Sequence, residues 1–417
     1  MRTFPGRSLP RRSVLSHLPH LPHLRYVLLL LPLLVIAFSS CAPRTHAAVV
    51  KQYDKPLAPG EQALEEVDPA TVPQVVTTPD ARTQLRAGIA NSLAYFTHAN
   101  SSRHYPVDGI SRDDVVASLH ALDQLLASGP DDAALNQALH SRFTIYRSIG
   151  CDSQATVLFT GYYTPIWHAS LTETAAYRFP IYKRPTDLVM PPQGGDPSAG
   201  AANRRGADGI LRPYPERAEL RASGLLRGDE LAWLPDPFAA YCVEIQGNAK
   251  LLLDDGKQLQ VGYDGTNNYA YHSIGLDLVK EGRIRKQDLN YFTIRAYFLA
   301  HPDEVQAYLD RNPRVIFFRA VTGQPSGSLG QPVLGDVTIA TDKTIFPPGA
   351  ACLVQTTIAD PAGVKAGYVA LRLDQDTGGG IKAPGHADLY MGEGETNERR
   401  AGSQYYEGHL YYLILRK

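Results

Sequence analysis

Apolar positions along this chain change period partway through. Leu85, Ile89, Leu93 and Phe96 form one stripe at helical spacing, and Val115, Leu119, Leu122 and Leu126 form a second. Pro79-Asp80 opens the first of these helices. Ser111-Arg-Asp-Asp opens the second with acids in its first turn, and Gly129-Pro130 separates it from a third over 131–143. From Thr156 the pattern turns to β. Val157-Leu-Phe-Thr-Gly-Tyr-Tyr-Thr-Pro165 begins a run of aromatic and β-branched residues that Pro180-Ile-Tyr-Lys-Arg-Pro185 continues. Tyr241-Cys-Val-Glu-Ile-Gln-Gly247 reads as a strand. The run after Lys250 reads as a hairpin turning on Asp255-Gly256. A helical patch from Leu289 to Leu309, interrupted near Pro302, precedes short strands that reach the C-terminus: Val315–Phe318, Pro332–Leu334, Asp336–Ala340, Ala350–Val354, Tyr368–Leu373 and Tyr411–Leu415. Short strands between Gly/Pro turns favour a small barrel over a sandwich. Residues 191–210, rich in Gly, Pro, Asp and Ala, read as a mobile loop.

The N-terminus alters this picture. Arg2, Arg7, Arg11, Arg12 and Arg25 lead into the apolar run Val27–Phe38, which is too short to span a bilayer comfortably and ends in Ser39-Ser40-Cys41. That ending resembles a bacterial lipobox, with Phe38 in place of the usual Leu. Residues 1–40 are therefore read as a lipoprotein signal peptide with Cys41 lipidated, and 41–78 as a tether. His17, His20 and His23 precede the cleavage point and carry no metal reading. Removing five leader arginines takes the net charge from −1 to about −6, which disfavours nucleic acid as a partner. Cys151, Cys242 and Cys352 remain, each in or beside an apolar or strand-like run, and read as free thiols.

The stretch richest in chemistry is Asp376-Thr-Gly-Gly-Gly-Ile-Lys-Ala-Pro-Gly-His-Ala-Asp388-Leu-Tyr-Met-Gly-Glu-Gly394. It places two carboxylates on either side of a glycine-rich segment with strands before and after. This suits acid/base chemistry on a sugar or an ester; the plainer alternative is a hairpin whose aspartates cap turns. Asp388, in Ala-Asp-Leu-Tyr with apolar neighbours, suits a proton donor of raised pKa. Asp376, beside Thr377 and the glycines, suits a supporting role. Asp374 alternates with Asp376 and so is expected on the same face, as a solvated strand residue. Lys382 steadies a carboxylate, touches substrate or lies on the surface, and His386 either touches a sugar or caps the turn. Tyr162, Tyr163, Gln246 and the Tyr/Asn-rich run from Tyr263 to Ser273 read either as the wall of a glycan groove or as half-buried strand residues. No Gly-x-Ser-x-Gly elbow, phosphate loop, dinucleotide fingerprint or metal-ligand spacing occurs.

Taken in order, Phe159–Pro165, Val243-Glu-Ile-Gln-Gly-Asn248, Tyr271-His-Ser-Ile-Gly275, Ala340-Thr-Asp-Lys-Thr-Ile-Phe-Pro-Pro-Gly349, Gln375–Lys382 and His386–Gly394 closely resemble the membrane-bound lytic murein transglycosylase A family. The resemblance covers roughly residues 80–417. It implies a mainly β fold with N-terminal helices: a double-psi β-barrel domain from 79–158 and 322–417, a smaller β-rich domain inserted over 159–321, and a groove between them. It implies non-hydrolytic cleavage of the β-1,4 bond between N-acetylmuramic acid and N-acetylglucosamine, leaving a 1,6-anhydro end, with no metal or organic cofactor. Asp388 maps onto the single acid-then-base and Asp376 onto the supporting carboxylate. Tyr162, Tyr163, Gln246, Tyr271, Ser273, Lys382 and Tyr390 are the implied substrate-binding residues. The implied setting is the periplasmic face of the outer membrane, lipid-anchored, as a monomer acting on glycan strands beside cell-wall synthases or scaffolds. Gly380 and Ala383 depart from the family's usual Ala and Gly. A glycoside hydrolase using the same two aspartates, and a non-catalytic cell-wall-binding lipoprotein, are the alternatives.

Overall fold

The computed structural model describes residues 51–191, 200–360 and 362–417, so Cys41 and the leader lie outside the described residues, as do 192–199 of the stretch read as a mobile loop, within whose described part Asn203–Arg205 forms a strand. The three N-terminal helices form where the sequence places them: Pro79–Phe96, Arg112–Ala127 and Asp132–Arg142. Each begins on a side-chain cap, from Thr78, Ser111 and Asp131, and Ser111 with Asp114 makes a reciprocal capping box. Their buried stripes (Leu85, Ile89, Val115, Leu119, Leu122) pack into a core shared with the strands Ala351–Ala359 and Tyr405–Leu415.

Six strands close into a barrel in the order Tyr405–Leu415, Ala351–Ala359, Lys365–Asp376, Thr338–Ala340, His386–Glu393, Val157–Thr164, and from there back to Tyr405–Leu415. Closure leaves these strands no open edge, and Phe143–Ser148 extends the sheet from the last of them. The fold is thus mainly β with N-terminal helices, as the sequence pattern requires. The stretch read as a tether is instead docked over much of its length. Leu64–Val67 pairs antiparallel with Phe143–Ser148, and Ala63, Val72 and Val75 are buried.

The chain leaves the barrel at Thr164 and re-enters it at Thr338. Between these points it builds a second layer, a four-stranded sheet ordered Ile316–Val321, Gln258–Thr266, Asn248–Leu253 and Ile166–Ala169, with its own apolar cluster. The hairpin turns at Gly256 as expected. Tyr241–Gly247 does not form a strand: Pro237–Gln246 is a helix. Asp236 caps its N-terminus, Pro237 occupies the first turn, and Gly247 ends it in the left-handed region at φ +70°. These terminal signals outweigh the β-propensity of Tyr, Val and Ile within it. Tyr291–Ala300 and Val305–Leu309 are helical, matching the helical patch expected there.

Candidate functional site

Backbone register builds the site. The short strand Thr338–Ala340 lies between the two strands that carry the acids, and Ala340 is paired with Asp376 on one side and with Asp388 on the other. Residues in register across a sheet project from the same face, so both carboxyls share one face of the barrel wall. Two interstrand steps set their Cα atoms about 10 Å apart. Asp388 is paired in turn with Thr160, and Thr160 with Tyr405, which extends the row.

A bulge produces this alignment. Ile339 pairs with Asp374 but Ala340 pairs with Asp376, leaving Gln375 as the extra residue. Asp374 and Asp376 therefore face opposite ways, which corrects the reading of Asp374 as a solvated neighbour. Asp374 is fully buried. It accepts hydrogen bonds from the Thr341 and Tyr412 hydroxyls at 2.7 and 2.8 Å and is ion-paired with the buried Lys343. Gln375 turns into the core, donating to the Gly88 carbonyl and to Ser92 Oγ on the first helix.

The two acids sit in different electrostatic settings. Asp376 accepts from Tyr162 Oη, Ser328 N and Thr377 N, each at 2.8 Å. Burial raises its pKa, and these three donors oppose that by favouring the charged form. Asp388 has less support, since its Oδ1 is covered and makes no hydrogen bond. Burial pushes its pKa up to about 7, with Thr160 opposing and the Asp376 charge adding to the rise. His386, two residues earlier on the strand, meets Thr160 Oγ1 through Nε2 at 2.8 Å, and burial lowers its pKa to about 4.

The other singled-out residues divide into three groups. Tyr162 and Tyr390 are buried beneath the aspartates with ring centroids 5.0 Å apart, and Tyr390 Oη meets Thr164 Oγ1 at 2.7 Å. Tyr163 is also buried. Its backbone N–H donates to Gln246 Oε1 at 3.1 Å, a link between barrel and insert. Ser273 caps the helix Ile274–Lys280. Tyr271 is 36% exposed and its ring lies against Gly380. Lys382 is half-buried on the same loop and makes no ion pair among the described residues.

Sequence reading missed Ser328, whose amide reaches Asp376 from a Gly-rich turn at 327–330, and Arg314 of the insert. A Cβ on Gly379 would stand 2.9 Å from the Arg314 guanidinium carbon, and one on Gly380 would stand 3.2 Å from the Tyr271 ring. These glycines admit two side chains from the insert to the backbone of the barrel turn between the two aspartates. The only trace of this in the sequence is the run of three glycines itself. Cys151, Cys242 and Cys352 are all unpaired.

The chain is thus a closed six-stranded barrel carrying two in-register aspartates, interrupted by a β-rich insert that touches the intervening loop. Family models agree: the MltA specific insert domain matches residues 158–319, and the 3D domain matches 337–414. Membrane-bound lytic murein transglycosylase A of Escherichia coli (strain K12) is 30% identical over 299 residues, covering 70% of this chain and 74% of the relative. The Vibrio cholerae protein of the same name is 29% identical over 272 residues, covering 64% and 67%. The crystal structure of a membrane-bound lytic murein transglycosylase from Agrobacterium tumefaciens superposes with a TM-score of 0.69 at 25% identity, over 85% of this chain and 98% of that one. The fold is shared with Escherichia coli MltA with bound chitohexaose, with a TM-score of 0.66 at 24% identity over 88% and 97%. The chain belongs to the membrane-bound lytic murein transglycosylase A family.

Proposed function

We propose that this chain is a peptidoglycan lytic transglycosylase, a lyase that cleaves between N-acetylmuramic acid and N-acetylglucosamine and leaves 1,6-anhydro ends. The observation that carries this reading is the inequality of the two aspartates. Asp388, with Oδ1 covered and unpartnered and its pKa pushed up to about 7, keeps a sizeable protonated fraction near neutral pH that an ordinary aspartate lacks; Asp376 is held by three donors. Asp388 protonates the glycosidic oxygen as the bond breaks. The carboxylate so formed, now charged beside Asp376 in a poorly solvated site, takes the proton of the muramoyl 6-hydroxyl, which closes on the anomeric carbon. Because the nucleophile belongs to the same sugar, no water is activated. Asp376, with its charge favoured by Tyr162, Ser328 N and Thr377 N, stabilises the positive charge that develops on the sugar ring.

In this reading Tyr162 and Tyr390 support the acids from below, and Tyr271 and Lys382 meet the glycan. Tyr163, Gln246 and Ser273 hold the insert in place. The name of the relatives and the lipobox-like Cys41 support a lipid-anchored protein at the periplasmic face of the outer membrane. Digesting purified sacculi in 18O-labelled water tests the reaction class. Unlabelled anhydro-muropeptides are expected; labelled reducing ends would show a hydrolase instead.

A further inference from the structure

Arg314 is 7% exposed, yet no carboxylate lies within ion-pair distance of it among the described residues. Its Nη1 donates to the Tyr269 carbonyl at 2.8 Å; its Nε and Nη2 make no hydrogen bond among those residues, and neither is sealed from solvent. Desolvation lowers its pKa, opposed by the Tyr263 phenol and by no carboxylate. A nearly buried guanidinium with unused donors is costly unless a ligand completes it. The insert presses this group onto the barrel's glycine turn. Nε and Nη2 stand 3.0 and 3.2 Å from where a Gly379 Cβ would be, three residues along the chain from Asp376. Tyr271, 36% exposed, lies on the next glycine, and Tyr263, 43% exposed, is close enough for its charge state to act on Arg314. The glycine turn that follows Asp376 thus meets a guanidinium with two unused donors and a partly open aromatic ring, with a second such ring, Tyr263, nearby on the insert.

We infer that Arg314 is a specificity-determining residue whose free Nε/Nη2 edge binds a carboxylate carried by the muramoyl residue at the cleavage site. Resting on the function proposed above, this assigns the enzyme a preference for acidic over neutral glycan. Two sources supply that chemistry: the lactyl carboxyl, free where the stem peptide has been removed, and the carboxylates of the stem peptide itself. Arginine suits either one, because two parallel N–H donors match the two oxygens of a carboxylate.

The test measures binding in an Asp388→Asn background, so that strands survive, with three probes of equal sugar length. These are chitohexaose, amidase-treated glycan with free lactyl groups, and peptide-bearing glycan. One acidic probe is expected to bind at least about tenfold more tightly than chitohexaose, as a hydrogen-bonded ion pair requires, and which one it is identifies the carboxylate. Arg314→Gln, which can still donate to Tyr269, should abolish that preference while leaving chitohexaose affinity and melting temperature unchanged; Arg314→Lys should restore part of it. An undiminished preference in Arg314→Gln would overturn the inference. So would equal loss for all three probes, which marks a purely structural arginine. Failure to bind any glycan would instead overturn the reading on which the inference rests.

Discussion

A carboxyl group gives up its proton to a leaving oxygen readily only if it still holds that proton at working pH. In the reaction proposed for this chain Asp388 keeps a protonated fraction near pH 7, because burial penalises its charge and the nearby Asp376 adds to the penalty. The same fact fixes the sign of two pH dependences. Activity should fall as pH rises through about 7, as the acid is lost; a rate that climbs steadily from pH 6 to 8 would contradict the assignment. For stability, the folded pKa lies above the unfolded one, so the folded state binds the extra proton between them. Stability from this group is present below the unfolded pKa and is lost as pH rises through about 7. Asp388→Asn should therefore raise the melting temperature more at pH 8 than at pH 5. Asp374 is the contrasting case, an aspartate buried with Lys343 and two hydroxyls and with no route to substrate. Lys343→Met leaves that charge uncompensated and should cost about 3–5 kcal/mol in denaturant unfolding. Tyr162→Phe removes one donor from Asp376 and should lower turnover by roughly three- to thirtyfold with the fold intact.

At the scale of elements, the site depends on one bulge and one turn. The period of two in Leu373-Asp-Gln-Asp376 places Asp374 and Asp376 on one face, and nothing in those residues announces the extra residue that separates them. What fixes it is tertiary: Gln375 is tied to Gly88 and Ser92 on a helix nearly three hundred positions away. The helix Pro237–Gln246 shows the opposite situation. Its cap residues Asp236, Pro237 and Gly247 stand in the sequence, and reading β-propensity ahead of them gives a strand. The turn after Asp376 contains a residue under strain. Ala383 sits at φ +67°, with its N–H on Asp342 Oδ2 at 3.1 Å. Ala383→Gly should relieve roughly 1 kcal/mol and raise the melting temperature; a lower melting temperature would mean that the methyl group packs usefully there. Gly379→Ala puts a methyl against the buried Arg314 guanidinium and should impair activity more than Gly380→Ala, whose methyl meets only a ring edge at 3.2 Å.

At the scale of the molecule, the chain threads a barrel, leaves it for a second lobe and returns. The ordered motifs make this organisation legible in the sequence, because each lies on a strand or turn of the barrel or at its border with the insert. The way the lobes grip one another is not legible there. Lys250 pairs with Glu393, Gln246 accepts from Tyr163 N, and Arg314 and Tyr271 lie on the glycine turn. Such contacts join residues far apart in sequence whose types carry no local pattern. Glycines between two acids read as space for a sugar; Arg314 and Tyr271 of the insert lie against two of them. In the proposed reaction Asp388 alone delivers and recovers the proton. The most direct test counts anhydro-muropeptides released from sacculi by wild type, Asp388→Asn and Asp376→Asn side by side at pH 6. Asp388→Asn is predicted to lose a factor of about 100 to 10,000, and Asp376→Asn distinctly less. Wild-type yields from Asp388→Asn would contradict that role.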